Sequence, residues 1–240
     1  MPLQSVEPQR LYRQIAEQLR KLMTSGEFKP GSRLPAERDL AKQLGVSRPS
    51  VREALIALEV EGWVEVRTGS GVYVLERAGK NARGAKAPKI PASEWGPLEL
   101  IRARRVIEGE IAGLAAVQAK RKHMQSIADA IDAMREDTER GVAPLAGDRA
   151  FHTAIAQAAD NVVLLETVQT FWDARRGPLF ERLGDYFESV PSWRMAIHEH
   201  EIVLEAIRAH DPQAARTAMQ SHMDKSHSRF SASWRRANSS

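Results

Sequence analysis

The stretch from residue 35 to residue 63 constrains the fold most, because it holds two apolar repeats on either side of one glycine. Up to Gly45 the apolar residues recur at helical spacing, and Pro35 suits the first helical position. Glycine tolerates the left-handed conformation in which many helices end. Beyond it, Ser47 is a good N-cap for a second helical repeat over residues 51–58. Two short helices joined by a tight glycine-containing turn form a helix-turn-helix unit.

The start of the second helix has the side chains of a DNA-reading helix. Arg48 and Arg52 lie in its first turns, and no acidic residue of this helix precedes Glu53. A helix N-terminus favours phosphate, and arginines pair with guanine edges in the major groove. Because helix-turn-helix units also occur as plain packing motifs, the hairpin that follows matters. Residues 63–67 and 72–75 alternate like strands around a glycine-rich turn, which predicts a wing whose tip approaches DNA.

A dense series of motifs runs through residues 11–75. They are Leu11-Tyr12-Arg13-Gln14-Ile15-Ala16, Ser25-Gly26, Pro30-Gly31-Ser32-Arg33-Leu34-Pro35-Ala36-Glu37-Arg38-Asp39-Leu40-Ala41, Val46-Ser47-Arg48, Val51-Arg52-Glu53-Ala54-Leu55 and Gly69-Ser70-Gly71-Val72. This region resembles the winged-helix domain of the GntR family of bacterial transcription regulators. The resemblance implies binding to double-stranded operator DNA through Arg38, Arg48 and Arg52 as main contacts, with Ser47, Ser50 and Gly69 in support. Position 49 is proline, so it has no backbone N–H to offer a phosphate.

Length and composition narrow the class of protein. With 240 residues and 42% apolar content, the chain can bury a sizeable core, and two domains are expected. It has no cysteine, which suits a reducing cytoplasm. The N-terminus has no apolar signal segment, and no apolar run approaches about 18 residues, so we expect a cytoplasmic protein without a membrane partner. The net charge of +4 is too small to indicate nucleic-acid binding by itself.

A basic stretch divides the chain. Residues 78–93 hold three lysines and one arginine without any acid, so we interpret 78–94 as a flexible linker. The alternative is that the linker adds non-specific phosphate contacts. We therefore predict a winged helix-turn-helix domain over 1–77 and an effector-binding and dimerisation domain over 95–240. Helical spacing punctuated by glycine and proline makes the second domain an all-α bundle, and the fold class mainly α.

Four residues of the second domain are candidate metal ligands. Asp148 and His152 are four apart, which places them on one helix face, and His200 and His222 each share an apolar stripe of their own helix. Three imidazoles and a carboxylate that point into a bundle suit a divalent cation, first Zn²⁺, with Mn²⁺ and Ni²⁺ as alternatives. From spacing alone, buried histidines held by hydrogen bonds are the commoner arrangement.

Short motifs around these four residues carry a second resemblance. They are Asp148-x-x-Phe151-His152, Glu199-His200 and Ala214-x-x-x-Ala218-Met219-x-x-His222. They resemble the ligand-binding FCD domain of the FadR subfamily, which implies a bound metal that receives a carboxylate effector. Residues 98–116 and 171–178 are also similar to the hexuronate-type repressors of that subfamily, which implies a sugar acid.

Two arginines are candidate anchors for such an effector. Arg104 lies on the inner side of its helix, although a surface pair with Glu108 is an equal alternative. Arg175 belongs to a segment that brings aromatic and basic residues together. A carboxylate or hydroxyl oxygen would accept hydrogen bonds from either guanidinium.

Three functions fit these observations. We expect a homodimeric repressor that a small sugar acid releases from its operator. A metal-dependent hydrolase would need a motif such as His-Glu-x-x-His, and the sequence has none. In the third hypothesis the second domain is only a dimerisation module with a structural metal.

Overall fold

The computed structural model describes residues 10–76, residue 90 and residues 94–232, which form ten helices and one β-hairpin. The helices are α1 Leu11–Thr24, α2 Glu37–Leu44, α3 Arg48–Val60, α4 Pro97–Gln118, α5 Arg121–Glu139, α6 Leu145–Ala158, α7 Val162–Ala174, α8 Pro178–Phe187, α9 Val190–Arg208 and α10 Pro212–Phe230. The strands are β1 Val64–Arg67 and β2 Gly71–Val74. The predicted class, mainly α with a winged helix-turn-helix and a helical bundle, is confirmed.

The chain divides into two compact units. Unit 1 consists of Met1–Pro97 and Gly177–Leu183, and unit 2 consists of Leu98–Arg176 and Gly184–Ser240. Most of the predicted linker, 78–94, lies outside the described residues. No helix among the described residues is both long enough and apolar enough to cross a membrane.

Unit 1 is built around α3, which is buried along most of its length. Helix α1 packs on it through residues spaced three and four apart, among them Ile15 and Leu19, so one stripe of α1 faces the core. Helix α2 begins at Glu37, two residues later than the sequence pattern indicated, and ends at Gly45. That glycine has φ +65°, the left-handed conformation expected at this helix end.

The wing follows α3 directly. Strands β1 and β2 pair antiparallel, with Val64 opposite Val74 and Arg67 opposite Gly71. The turn between them includes Gly69, whose φ of +76° disfavours any residue with a Cβ. Val64, Val72 and Val74 are buried, so the hairpin is attached to the unit by its inward-facing valines.

The short segment 177–183 belongs to unit 1, which the sequence pattern did not indicate. Arg182 donates a hydrogen bond from Nε to Oε2 of Glu59, at 2.9 Å. The backbone N–H of Leu179 donates to Oε1 of Glu94, at 3.1 Å. The first part of α8 is therefore tied to unit 1 by one ion pair and one capping hydrogen bond.

Unit 2 is an all-α bundle whose core comes from α4, α5, α6, α7, α9 and α10. Helix α5 packs on α6 and α9, and α9 packs on α10. Ser189 and Asp211 cap the N-termini of α9 and α10 through their side chains, and Pro191 and Pro212 occupy the first turns. The bundle brings the inner faces of α4, α6, α9 and α10 together, and these faces carry the candidate ligands.

Candidate functional site

The N-terminus of α3 presents part of the predicted DNA-contacting set. Oγ of Ser47 caps the helix by accepting a hydrogen bond from the backbone N–H of Ser50, at 3.2 Å. Arg48 is half-exposed, and Arg38 is largely exposed with 82% of its side chain open to solvent. The wing tip at Gly69 is exposed. These residues are accessible to solvent, and their contacts with DNA stay predictions.

Arg52 has a different environment. Its side chain is only 1% exposed, and it donates from Nε and Nη2 to the two carboxylate oxygens of Glu37, at 2.7 and 2.6 Å. Nη2 of Arg48 lies 3.7 Å from the same carboxylate. Arg52 therefore joins α2 to α3. Its predicted contact with DNA would require part of this buried pair to open.

The four candidate metal ligands come together inside unit 2. Asp148 and His152 stand one turn apart on α6, while α9 supplies His200 and α10 supplies His222. All four are buried, and one ligand atom from each lies within 4.8 Å of the others. The i, i+4 spacing places the α6 pair on one face, as the sequence indicated.

The distances between the facing atoms suit a small cation. Nε2 of His200 is 3.1 Å from Nε2 of His222. Oδ1 of Asp148 lies 3.4 Å from Nε2 of His152 and 3.5 Å from Nε2 of His200. A tetrahedron with bonds of about 2.0–2.1 Å to its ligands has edges of about 3.3–3.4 Å. Oδ1 of Asp148 and Nε2 of His152 are buried without a hydrogen-bond partner among the described residues. Buried polar atoms normally have a partner, so this donor set fits a divalent cation.

Two further carboxylates contact the outer nitrogens of two imidazoles. Oε2 of Glu108 lies 2.5 Å from Nδ1 of His152, and Oε2 of Glu199 lies 2.8 Å from Nδ1 of His222. A carboxylate at Nδ1 favours the tautomer whose Nε2 is free to bind a metal. His200 lacks such a partner at Nδ1 within the described part of the chain, and its ring packs on Phe151 instead.

Electrostatics favour an ionised carboxylate in the cluster. Burial by itself raises the pKa of Asp148, but the neighbouring His152 and other cationic groups outweigh burial and hold this pKa well below its usual value. Burial, reinforced by His222, lowers the pKa of His200 well below its usual value. Burial also lowers the pKa of His152, but Glu108 outweighs burial, so the net pKa is raised. Metal ligands must be deprotonated, and Asp148 and His200 meet that condition at neutral pH.

A pocket adjoins the cluster, and three arginines line it. The cavity has a volume of about 30 Å³, which is room for about two water molecules, so a larger ligand would require the pocket to widen. Asp148 and His222 form part of its wall, and Arg104, Arg175 and Arg229 line it beside them. The predicted effector anchors Arg104 and Arg175 therefore lie next to the candidate metal ligands.

Arg104 forms a buried pair rather than a surface pair. It is 3% exposed, and its Nε donates to Oε1 of Glu108 at 2.5 Å. Its guanidinium carbon lies 4.8 Å from the ring centre of Trp172, and that of Arg175 lies 4.4 Å from the same indole. Arg175 also donates from Nη1 to Oδ2 of Asp148, at 2.9 Å. Cation–π contacts with one indole thus help to orient both arginines at the pocket.

The sequence interpretation missed the third arginine and its carboxylate. Arg229 donates from Nη1 and Nη2 to the two oxygens of Glu199, at 2.9 and 3.2 Å. Because Arg229 follows His222 by seven residues, two helical turns, its place on the same face could have been read from spacing. Glu199 directly precedes His200, and no periodicity signal marked it as buried.

Comparison with known proteins identifies both units. The model of "Bacterial regulatory proteins, gntR family" matches residues 11–74, and the FCD domain model matches residues 99–225. The chain belongs to the GntR family. Among its relatives, the Uxu operon transcriptional regulator of Escherichia coli strain K12 is 35% identical over 220 residues, which cover 90% of this chain and 85% of that protein. The Exu regulon transcriptional regulator of the same strain is 35% identical over 225 residues, which cover 92% and 85%.

A solved structure agrees with this GntR-family fold. Escherichia coli McbR/YncC superposes with a TM-score of 0.52 at 23% identity, covering 92% of this chain and 97% of that one. This likeness concerns the fold alone. The relatives found by sequence are transcription regulators, so this GntR-family protein is a DNA-binding transcription regulator of the GntR/FCD type and not an enzyme. The hydrolase hypothesis is therefore set aside.

Proposed function

We propose that this GntR-family regulator is a repressor that a small sugar acid releases from its operator. The observation that carries the proposal is the pocket of unit 2, where four potential metal ligands adjoin three guanidiniums. Carboxylates bind both to divalent cations and to guanidinium groups, so one wall of the pocket suits the acid group of an effector. The similarity to the Uxu and Exu regulators supports a hexuronate, or an aldonate derived from one.

The four clustered side chains would hold the metal, with Zn²⁺ first and Mn²⁺ or Ni²⁺ as alternatives. The ion would supply positive charge and, by taking a fifth ligand, a coordination position for the effector carboxylate. Glu108 and Glu199 keep two imidazoles oriented for this purpose by contacting their Nδ1 atoms. Arg104 and Arg175 would then bind the second carboxylate oxygen or an adjacent hydroxyl.

On the DNA side, we propose a homodimer that acts in the cytoplasm. One recognition helix reads one half-site, and a two-fold symmetric protein reads a site of matching symmetry. The support for α3 as that helix is its capped N-terminus, with Arg48 exposed beside it. The operator is expected to be a compact pseudo-palindrome.

The proposal is tested by following operator affinity while sugar acids are added to the wild type and to His222→Ala. Coupling between sites is typically about 1–3 kcal/mol, so saturating effector should weaken operator binding by about 5- to 150-fold in the wild type only. His198→Ala is the matched control, because His198 is exposed and lies on α9 two residues before His200. If a sugar acid weakens operator binding equally in the wild type and in His222→Ala, the effector does not act through the metal site. A metal-loaded wild type that no sugar acid affects would favour a structural metal in a dimerisation module.

A further inference from the structure

Two residues of the pocket wall, Trp193 and Glu188, belong neither to the metal cluster nor to the Arg104–Glu108 and Arg229–Glu199 pairs. Trp193 lines the pocket at the first turn of α9, only 7% exposed, and its indole Nε1–H has no hydrogen-bond partner among the described residues. Glu188 lines the same pocket just before α9. Its Oε1 accepts one long hydrogen bond from Arg175, at 3.4 Å, and 20% of its side chain is exposed.

A buried indole N–H is costly to leave unpaired. A buried donor without an acceptor costs about 1–3 kcal/mol, and native structures hold few of them. Burial, opposed by Arg175, raises the pKa of Glu188. A ligand that offers an acceptor to Trp193 and a donor to Glu188 would satisfy both groups at once.

The negative charge of Glu188 and the donor N–H of Trp193 decide which part of a ligand fits beside them. A carboxylate at Glu188 repels a second carboxylate, so the acid group of the ligand belongs at the arginines and the metal ligands instead. Hydroxyl groups donate and accept, so they can serve both Glu188 and the indole N–H. An alkyl group would leave both unsatisfied.

We propose that Glu188 and Trp193 form a hydroxyl-reading subsite that selects polyhydroxylated monocarboxylates. The inference rests on the proposed function, since it assumes that the acid group binds beside Asp148 and His222. Short acids such as acetate would fill only the metal end and leave the subsite unused. Dicarboxylates of the same length, such as aldarates, would place their second acid group against Glu188 and be rejected.

The test measures binding by calorimetry to the Zn²⁺-loaded full-length protein. The ligands are galacturonate, its aldarate galactarate, and acetate, and the variants are Glu188→Gln and Trp193→Phe. Two controls that lie outside the pocket lining accompany them: Glu166→Gln, an exposed acid of α7, and Met195→Leu, an exposed residue two positions after Trp193. Metal content and melting temperature are checked for every variant, so that a loss of binding is not mistaken for a loss of fold.

The wild type should bind galacturonate more tightly than acetate or galactarate. Glu188→Gln should weaken galacturonate about 10- to 100-fold, because a hydrogen bond to a charged group is lost, and Trp193→Phe should weaken it about 3- to 10-fold. Acetate affinity should change less than about twofold in both variants. In Glu188→Gln, the affinity for galactarate should come closer to the affinity for galacturonate than it does in the wild type.

Two outcomes would contradict the hydroxyl-reading subsite. The subsite is overturned if the metal-loaded wild type binds galacturonate no better than acetate. It is also overturned if both variants bind galacturonate as the controls do. In either case the carboxylate pocket of the proposed function stands. If the metal-loaded wild type binds none of the three acids, the proposed function fails and the subsite fails with it.

Discussion

Glu108→Gln should weaken metal binding although it leaves all four candidate metal ligands in place. Glu108 is 2% exposed and lies 2.5 Å from both Nδ1 of His152 and Nε of Arg104. Glutamine has the same shape but no charge, and its amide can present an N–H where the carboxylate presents an oxygen. His152 would then lose the carboxylate that favours its metal-binding tautomer.

The expected size follows from these contacts. Removing a carboxylate behind a metal-bound histidine costs about 10- to 100-fold in metal affinity, which corresponds to about 1.4–2.7 kcal/mol. At a fixed excess of metal, the stabilisation that metal gives the folded state falls by the same amount. With about 2–4 °C per kcal/mol for a chain of this size, the metal-induced rise in melting temperature should shrink by about 3–11 °C. The metal-free variant is also destabilised, because Arg104 loses its buried counter-charge.

Two measurements separate these effects. Competition with a chromogenic chelator at 25 °C reports the affinity of the folded protein, and calorimetry with and without Zn²⁺ reports the metal-induced stabilisation. Glu110→Gln is the matched control, since Glu110 lies on the same helix but pairs with Arg216 at the surface. If Glu108→Gln and Glu110→Gln bind Zn²⁺ within about twofold of each other, the reasoning about His152 is refuted.

Four other predictions concern DNA binding, stability, pH and assembly. Arg48→Ala should cost about 1–3 kcal/mol of affinity for operator and little for random DNA in anisotropy titrations, and equal losses on both would indicate a phosphate contact. Arg52→Ala should instead lower the free energy of unfolding by about 3–5 kcal/mol, because Glu37 is left buried without its partner. A variant whose free energy of unfolding in urea equals that of the wild type would contradict this. In metal-free protein the pKa of Glu108 is about 2, because Arg104 and His152 outweigh the effect of burial, against an ordinary value of 4.5. Its contribution to stability is therefore complete above pH 4.5 and lost as pH falls through 2, so Glu108→Gln should show a shallower loss over this range in acid unfolding followed by circular dichroism. Light scattering at micromolar concentration should give the mass of two chains, and a monomer with and without operator would exclude the homodimer.

The local pattern of the sequence determined the elements. Gly45 between two apolar repeats predicts the helix-turn-helix, since a left-handed residue ends one helix and the Ser47 cap starts the next. The i, i+4 spacing of Asp148 and His152 places both on one helix face, because a helix repeats every 3.6 residues. These features depend on neighbours a few residues apart, which the sequence displays directly.

Only the tertiary structure decided which faces meet and what the charged residues contact. His200 and His222 approach to 3.1 Å because α9 packs on α10, a contact between residues far apart in the sequence. The spacing of Arg104 and Glu108 allows both a surface pair and a buried one, and the packing of α4 makes the pair buried. The sequence places Arg52 in the first turns of a helix, where it looks available to DNA, yet the packing of α2 against α3 pairs it with Glu37. Periodicity fixes the direction of a side chain from its own helix, whereas its partner and its exposure depend on the helix packed opposite.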